Sequence, residues 1–488
     1  MTRVRLHAVF ACLIIVLSSP YPWLVVSQST VRSLPGFPGP LPFHLETGYI
    51  GVGELDENQL FYYFVESEKN PKEDPLVVWL TGGPGCSAWS GLVFEIGPLY
   101  FPRVRYDGSL PTLKLRQHSW TKVSSIIFVD SPVWTGFSYS SGSKDNIIGD
   151  VKASKELYQF LRKWLIGHPQ FLSNPLYIGG DSYSGIILPI FVQEIANGIE
   201  AGQEPTLNLK GYFLGNPVTD KRYDSNSVIP YAHGMGLVSD ELYESAKKSC
   251  EGDYINPRSP KCAKDLEAVD ECTSRLHKGH FLEPECPRAS PRPNNMVSHR
   301  RSLPEKSEEL LLPDPKPQFG CREYAYLLSD YWANDDSVRK ALHIRKGTTR
   351  EWKRCNYDIP YEKSVKSTIK YHLNLTTRGY LALIYSGDHD LLVPFLGTQA
   401  WIRSLNFSIV DEWRPWFVDG QVAGERATQV QSTNPRKALQ CSNGGFLVSL
   451  YDHLRFRSFN PHAFPAWLAK CSIVLVKRVA PSVASSNS

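Results

Sequence analysis

The chain contains Gly180-Asp181-Ser182-Tyr183-Ser184-Gly185, a G-x-S-x-G pattern that can turn a strand sharply into a helix. Glycines on either side let neighbouring backbone approach, the serine hydroxyl stands exposed, and the following N–H points at a developing oxyanion. The strand-like Leu176-Tyr177-Ile178 before it and the helix-like run Ile186 to Ile195 after it supply that context. A serine nucleophile needs a base and an acid to orient the base. Tyr380 to Tyr385 reads as a core strand, and two carboxylates, Asp388 and Asp390, follow it. The turn there, with Pro394 downstream, favours Asp390 as the orienting acid and leaves Asp388 to brace the turn; the alternative is that both only cap it. Thr81-Gly82-Gly83-Pro84-Gly85 also follows a strand, and its N–H groups can face an oxyanion. Phosphate cradling is the competing use of such a loop, but no Gly-Lys-Ser/Thr completes it. His118, His168 and His233 read as surface or capping residues.

The elements that must hold these groups follow from periodicity. Gly48 to Phe64 predicts two strands around an Asp-Glu-Asn turn, while Pro75 to Leu80, Ser125 to Asp130 and Lys210 to Leu214 predict buried strands. Residues 150–166 carry helical spacing, with Asp150 as the expected cap. Strands alternating with helices argue for a mostly parallel sheet covered on both faces. Between 216 and 335 strand-like runs vanish and cysteines cluster, which predicts a cap insertion carried by a core of 30–215 and 336–424. Within it, 288–317 is rich in Pro, Arg and Ser and predicts an exposed linker. Residues 425–488 form an atypical, polar tail.

Composition narrows the classes. The 488 residues are 42% hydrophobic and 21% charged, which excludes a disordered chain. Fifty-three basic against 49 acidic residues leave +4, too little for a nucleic-acid surface by charge. Arg3, Arg5 and His7 precede the apolar run Ala8 to Leu17, with small and polar residues from Ser27 to Thr30. That is the layout of a signal peptide over 1–29, and the run is too short to span a membrane. No later stretch is apolar enough to serve as an anchor. Apart from Cys12, five of the cysteines fall between 250 and 321, where local disulfides are expected. Their spacing is not that of a metal site, and no cofactor motif is present. Asn374-Leu-Thr and Asn406-Phe-Ser are glycosylation sequons.

The strings WLTGGPGCSAWSGLVFEIGP, GGDSYSG, GYFLGNPVTD and IYSGDHDLLVPFLGTQAWI together resemble plant serine carboxypeptidase-like proteins, from about Gly36 to Gly424. The resemblance implies an α/β-hydrolase fold with a mostly parallel central sheet and an inserted helical, disulfide-stapled cap. It implies pairing of Cys86 with Cys355, Cys250 with Cys262, and Cys286 with Cys321, leaving Cys272, Cys441 and Cys471 over. Ser182 would be the nucleophile and Asp390 the acid, with the N–H groups of Gly83 and Tyr183 as oxyanion hole. The family also implies a secreted or vacuolar glycoprotein without cofactor or metal, acting on a small ester or peptide. The 288–317 segment resembles the linker that some members lose in maturing to two chains, and a homodimer is equally compatible.

Family peptidases recognise a substrate's terminal carboxylate through an asparagine in W-x-N-G-G and two glutamates, one just before the serine. Here Thr81 stands for the asparagine and Asp181 for that glutamate, beside Gly82, while Glu95 keeps the other acid. A hydroxyl offers one donor where an amide offers two. The combination resembles the acyltransferase branch, which moves acyl groups from glucose esters to acceptors. The family histidine sits in a Gly-Gly-Gly-His-Thr-Ala-Pro loop, a string absent from this chain. Past Asp390, the histidines that remain for that role are His453, which follows FLVSLYD, and His462. Without a glycine loop to turn it, His453 reads as a surface or loop-packing residue. The expectation is then a slow enzyme, or a binding and regulatory protein on a hydrolase scaffold.

Overall fold

The computed structural model describes residues 27–142, 147–286, 321–348, 351–418, 421–431 and 471–478, with side chains between Gln28 and Pro415 except Val410. The apolar leader, the 288–317 linker, Cys441, His453 and His462 therefore lie outside the described residues. Strands β1 (Ser27–Thr30), β2 (Leu45–Val52) and β3 (Asn58–Val65) form an antiparallel edge. Next come β4 (Leu76–Leu80), β5 (Ser125–Val129), β6 (Leu176–Asp181), β7 (Leu209–Gly215) and β8 (Leu381–Gly387). The last three are β9 (Ser408–Val418), β10 (Gln421–Gln431) and β11 (Cys471–Arg478). Together they make one sheet in the order β1-β2-β3-β5-β4-β6-β7-β8-β11-β10-β9. Its centre, β5-β4-β6-β7-β8, is parallel throughout.

Period-two alternation splits each central strand between two cores. Leu76, Val78 and Leu80 face helices α1 (Asp150–Gly167) and α2 (Ser184–Glu200), packing with Phe160, Trp164, Leu188 and Phe191. Val77 and Trp79 point to the other face, with Trp89, Phe213 and Trp332. A strand buried on both faces cannot alternate apolar with polar, so β4 and β5 read as continuous apolar runs. Each such side chain contributes about 1.5–3 kcal/mol on burial.

The insertion is helical, as expected: α3 (Lys221–Asn226), α4 (Val228–Gly234), α5 (Asp240–Cys250) and α6 (Pro260–Thr273). Ser239 and Ser259 cap α5 and α6 by accepting the N–H groups of Leu242 and Cys262. A small core of Ile229, Tyr231, Val238 and Val269 takes in Leu391, from the turn just past Asp390. All three expected disulfides are present, and Cys272 is free and exposed.

Local expectations are corrected at several points. Gly149, not Asp150, is the N-cap of α1; Asp150 is fully buried one residue inside, where its carboxylate serves other segments. Among the described residues the sheet begins with Ser27–Thr30, an edge strand held by backbone pairing to β2. Helix α7 (Arg322–Ala333) belongs by packing to the main core rather than the cap: Trp332 stacks on Trp89 at 4.4 Å. The tail is not unpatterned at the backbone level, since β10 runs through Gly424 and β11 pairs with β8. His168, read as a surface or capping residue, does cap: it is the C-cap of α1 with its Nδ1 2.8 Å from Trp164 O, and it is buried there, with Glu46 at 3.0 Å.

Candidate active site

Strand β6 delivers Ser182 to the carboxyl end of the parallel sheet, where α2 begins two residues later. Ser182 has φ +53°, a left-handed conformation that side chains rarely adopt. Its N–H donates to Gly215 O (2.9 Å), and its carbonyl accepts from Gly185 N (3.0 Å) and Val218 N (2.9 Å). The backbone is thus over-determined at the strained residue, which is what keeps such strain in place. The motif's glycine is required here: a Cβ on Gly185 would lie 2.3 Å from Val218 O.

The Gly82-Gly83 loop lies against this turn. A Cβ on Gly82 would come within 2.7 Å of Ser182 Cβ. The N–H groups of Gly83 and Tyr183 have no hydrogen-bond partner among the described residues, whereas Gly82 N–H donates to Asp181 Oδ1 at 2.9 Å. The Cys86–Cys355 disulfide and the bond from Asn356 N–H to Gly85 O pin the loop from the far side. Buried Asp130 holds its exit by accepting from Ser87 Oγ and Ala88 N.

Asp390 sits at the end of β8, buried. Its Oδ1 accepts from Leu392 N (2.7 Å) and Val393 N (3.0 Å), and its Oδ2 from Asn216 Nδ2 (3.0 Å). Burial pushes its pKa up to about 6 against those three donors. Bracing of the turn therefore falls to Asp390 itself. Among the described residues the Asp388 carboxylate makes no hydrogen bond that braces it: its carbonyl accepts from Tyr231 OH, and its Oδ1 lies 3.8 Å from His389 Nε2.

Asn216 was not singled out from sequence, and it joins the two halves of the site. It follows Gly215, which accepts from Ser182; its Oδ1 accepts from Gly387 N (3.1 Å) and its amide reaches Asp390. Its partner is 174 residues away, so only its place in the GYFLGNPVTD string could have flagged it. Asp150 does not cap α1 but ties three segments together. Its carboxylate accepts from Tyr183 OH (2.8 Å), Tyr361 OH (2.9 Å) and Val365 N (2.8 Å), fixing the residue after Ser182.

Glu95 and Asp181 form a buried acid pair. Burial raises both; Asp181 reaches about 6, and Glu95 goes well up, pushed further by the charge of Asp181. Trp79 Nε1–H donates to Glu95 Oε2 at 2.9 Å, and the buried Arg354 guanidinium opposes both rises. Thr81 follows directly on β4, and its buried Oγ1 has no hydrogen-bond partner among the described residues. Beside the turn opens a cavity of about 560 Å³ with apolar walls from Ile186, Val218, Val228, Ile229 and Leu392, and with Tyr183 on its rim. No metal-binding cluster of His, Cys, Asp or Glu occurs among the described residues, and no described helix is long and apolar enough to cross a membrane. Asn374 and Asn406 are both exposed.

Known proteins align with this arrangement. The serine carboxypeptidase family model matches residues 35–453, beyond Gly424 where the motif resemblance stopped. Serine carboxypeptidase-like 1 of Arabidopsis thaliana is 54% identical over 406 residues, covering 83% of this chain and 86% of that protein. Serine carboxypeptidase-like 17 of the same plant is 51% identical over 407 residues, with 83% and 86% coverage. Among solved structures, Kex1(delta)p, a prohormone-processing carboxypeptidase from Saccharomyces cerevisiae, superposes with a TM-score of 0.61 at 19% identity, covering 89% of this chain and 94% of that one. That likeness speaks for the fold. The chain belongs to the serine carboxypeptidase family.

Proposed function

We propose that this protein forms an acyl-enzyme on Ser182 and passes the acyl group from an activated ester, such as a glucose ester, to an acceptor alcohol or amine. The observation that carries it is the strained Ser182 beside two unengaged N–H groups, those of Gly83 and Tyr183. The serine oxygen attacks the ester carbonyl and its proton passes to a base. The two N–H groups receive the oxyanion, the sugar leaves, and an acceptor repeats the sequence in reverse. The cavity under the cap would hold the acyl group. Asp390 would orient the base. His453 is the favoured imidazole, because the family match extends to it.

Preference for acyl transfer over peptide trimming rests on the acid side of the site. Asp181 spends Oδ1 on Gly82 N–H, and Thr81 presents one hydroxyl where the family peptidases have an amide. The carboxylate clamp for a peptide terminus is correspondingly weakened. The relatives and the apolar leader fit a secreted or vacuolar protein.

The test compares glucose-ester turnover in the presence of an acceptor with release of C-terminal residues from blocked dipeptides. Transfer should be faster, and Thr81→Asn with Asp181→Glu should move the ratio towards dipeptides. Faster dipeptide cleavage by the natural chain would overturn the preference. Labelling by a fluorophosphonate should vanish in Ser182→Ala and slow in His453→Ala. Removing one triad member leaves a residual acceleration of about 10³–10⁴ over water.

A further inference from the structure

The cavity that Tyr183 lines, one residue past Ser182, is walled both by apolar side chains and by lysines. Lys221, Lys363, Lys366 and Lys278 line it, against Asp224 and Asp270. The fold brings Lys221 to Lys363 and Lys366, which share one loop. Lys221 opens α3, and its N–H donates to Lys366 O at 3.2 Å, so the 363–366 loop and the α3 start form one wall. Lys363 Nζ lies 5.2 Å from the centre of the Tyr183 ring, next to the nucleophile in sequence. Among the described residues, Lys366 Nζ donates to one carbonyl, that of Lys363. Lys278 faces them from the cap, its ammonium on Thr273 O and Oγ1, and its own carbonyl accepts from Leu391 N beside Asp390.

None of the four ammonium groups forms an ion pair with a described carboxylate. Asp224, the buried acid of the wall, already accepts two backbone N–H groups, from Thr219 and Asp220. Burial raises its pKa to about 7, so in an acidic compartment it adds little negative charge. Four like charges around one cavity repel each other, and a concave low-dielectric site focuses their field on what enters. An occupant that is apolar along its length and negative at its end satisfies both the apolar walls and the lysines.

We propose that the acyl groups this protein accepts end in an anionic group, with the carboxylate half-esters of dicarboxylic acids as the simplest class, held by Lys221, Lys363 and Lys366 while the chain lies along Val218, Val228 and Ile229. The inference rests on the cavity being the acyl site. Carboxylate recognition by ammonium is charge-assisted and outlasts competition from water better than a neutral contact.

The experiment reads binding, on Ser182→Ala protein that cannot form an acyl-enzyme. Calorimetric titration compares the monomethyl esters of adipic, suberic and sebacic acids with their shape-matched ω-amides. At least one half-ester should bind about tenfold more tightly than its amide at low salt, less so as salt rises. The triple variant Lys221→Gln, Lys363→Gln, Lys366→Gln should bring the pair to parity, each single change should give part of that loss, and the three arginine replacements should keep the preference. Parity at all three lengths would overturn the inference and leave the proposed acyl transfer standing. A preference that survives the glutamine variants would place the anion elsewhere and overturn it too. Absence of turnover by the natural chain, with the lysine-dependent preference intact, would instead count against the proposed function.

Discussion

Ser182 is held at φ +53° by three backbone hydrogen bonds, and the glycine three residues on makes that geometry sterically open. Gly185→Ala forces a methyl to within 2.3 Å of Val218 O, and the turn must open to relieve it. We expect a loss of about 1–3 kcal/mol in urea denaturation, together with loss of fluorophosphonate labelling. The control is Gly234→Ala near the end of α4, where a Cβ meets nothing within 4 Å. That change should be neutral or stabilising by up to about 1 kcal/mol. Equal effects at both positions would mean that the elbow does not constrain the serine. The acids differ from this case, because nothing about Asp181 or Glu95 as single letters announces a shared, buried site. Their pairing arises from β4, β6 and the 91–95 turn converging in space.

At the scale of elements, the joint between β7 and β8 depends on one side chain. Asn216 bonds Gly387 N and Asp390 Oδ2, so Asn216→Ala leaves a buried N–H and a carboxylate oxygen short of partners. An orphaned buried polar group costs about 1–3 kcal/mol. We expect destabilisation of that order in urea, with turnover falling further than binding of the half-esters, because the acid loses its orientation while the cavity keeps its walls. A fall in binding as large as that in turnover would show that Asn216 supports the whole cap instead. The linker supplies a second test at this scale. Its Pro and Arg content motivates cleavage by limited trypsin first near Arg288 to Arg301, and the Cys286–Cys321 bond should keep the fragments joined until reduction. A first cut within 76–215 would contradict the division into core and cap.

Across the whole molecule, the parallel sheet was legible because strands buried on both faces announce themselves as apolar runs, and the strained turn at Ser182 because it needs glycines in fixed places. The network behind them was not legible. Asp130, Asp150 and Asn216 act on residues far along the chain, and no local pattern encodes such partners. These buried acids give the fold a pH dependence with a definite sign. Burial raises Asp130, Asp181 and Asp390 to about 6 and Asp224 and Asp330 to about 7, against about 3.9 in an unfolded chain. Between pH 4 and 7 the folded state therefore keeps protons that the unfolded state has released, and stability falls as pH rises through that window. His372 works the other way, since burial lowers it to about 3 and its neutral form is favoured, and His280 is lowered as well. Five aspartates outweigh two histidines, so calorimetry should find a higher Tm near pH 5 than near pH 7.5. Asp224→Asn, which cannot titrate, should flatten part of the slope between pH 5 and 7. A Tm that is level or rises across this range would show that the buried acids are ionised throughout, and with them the acid pair beside Ser182.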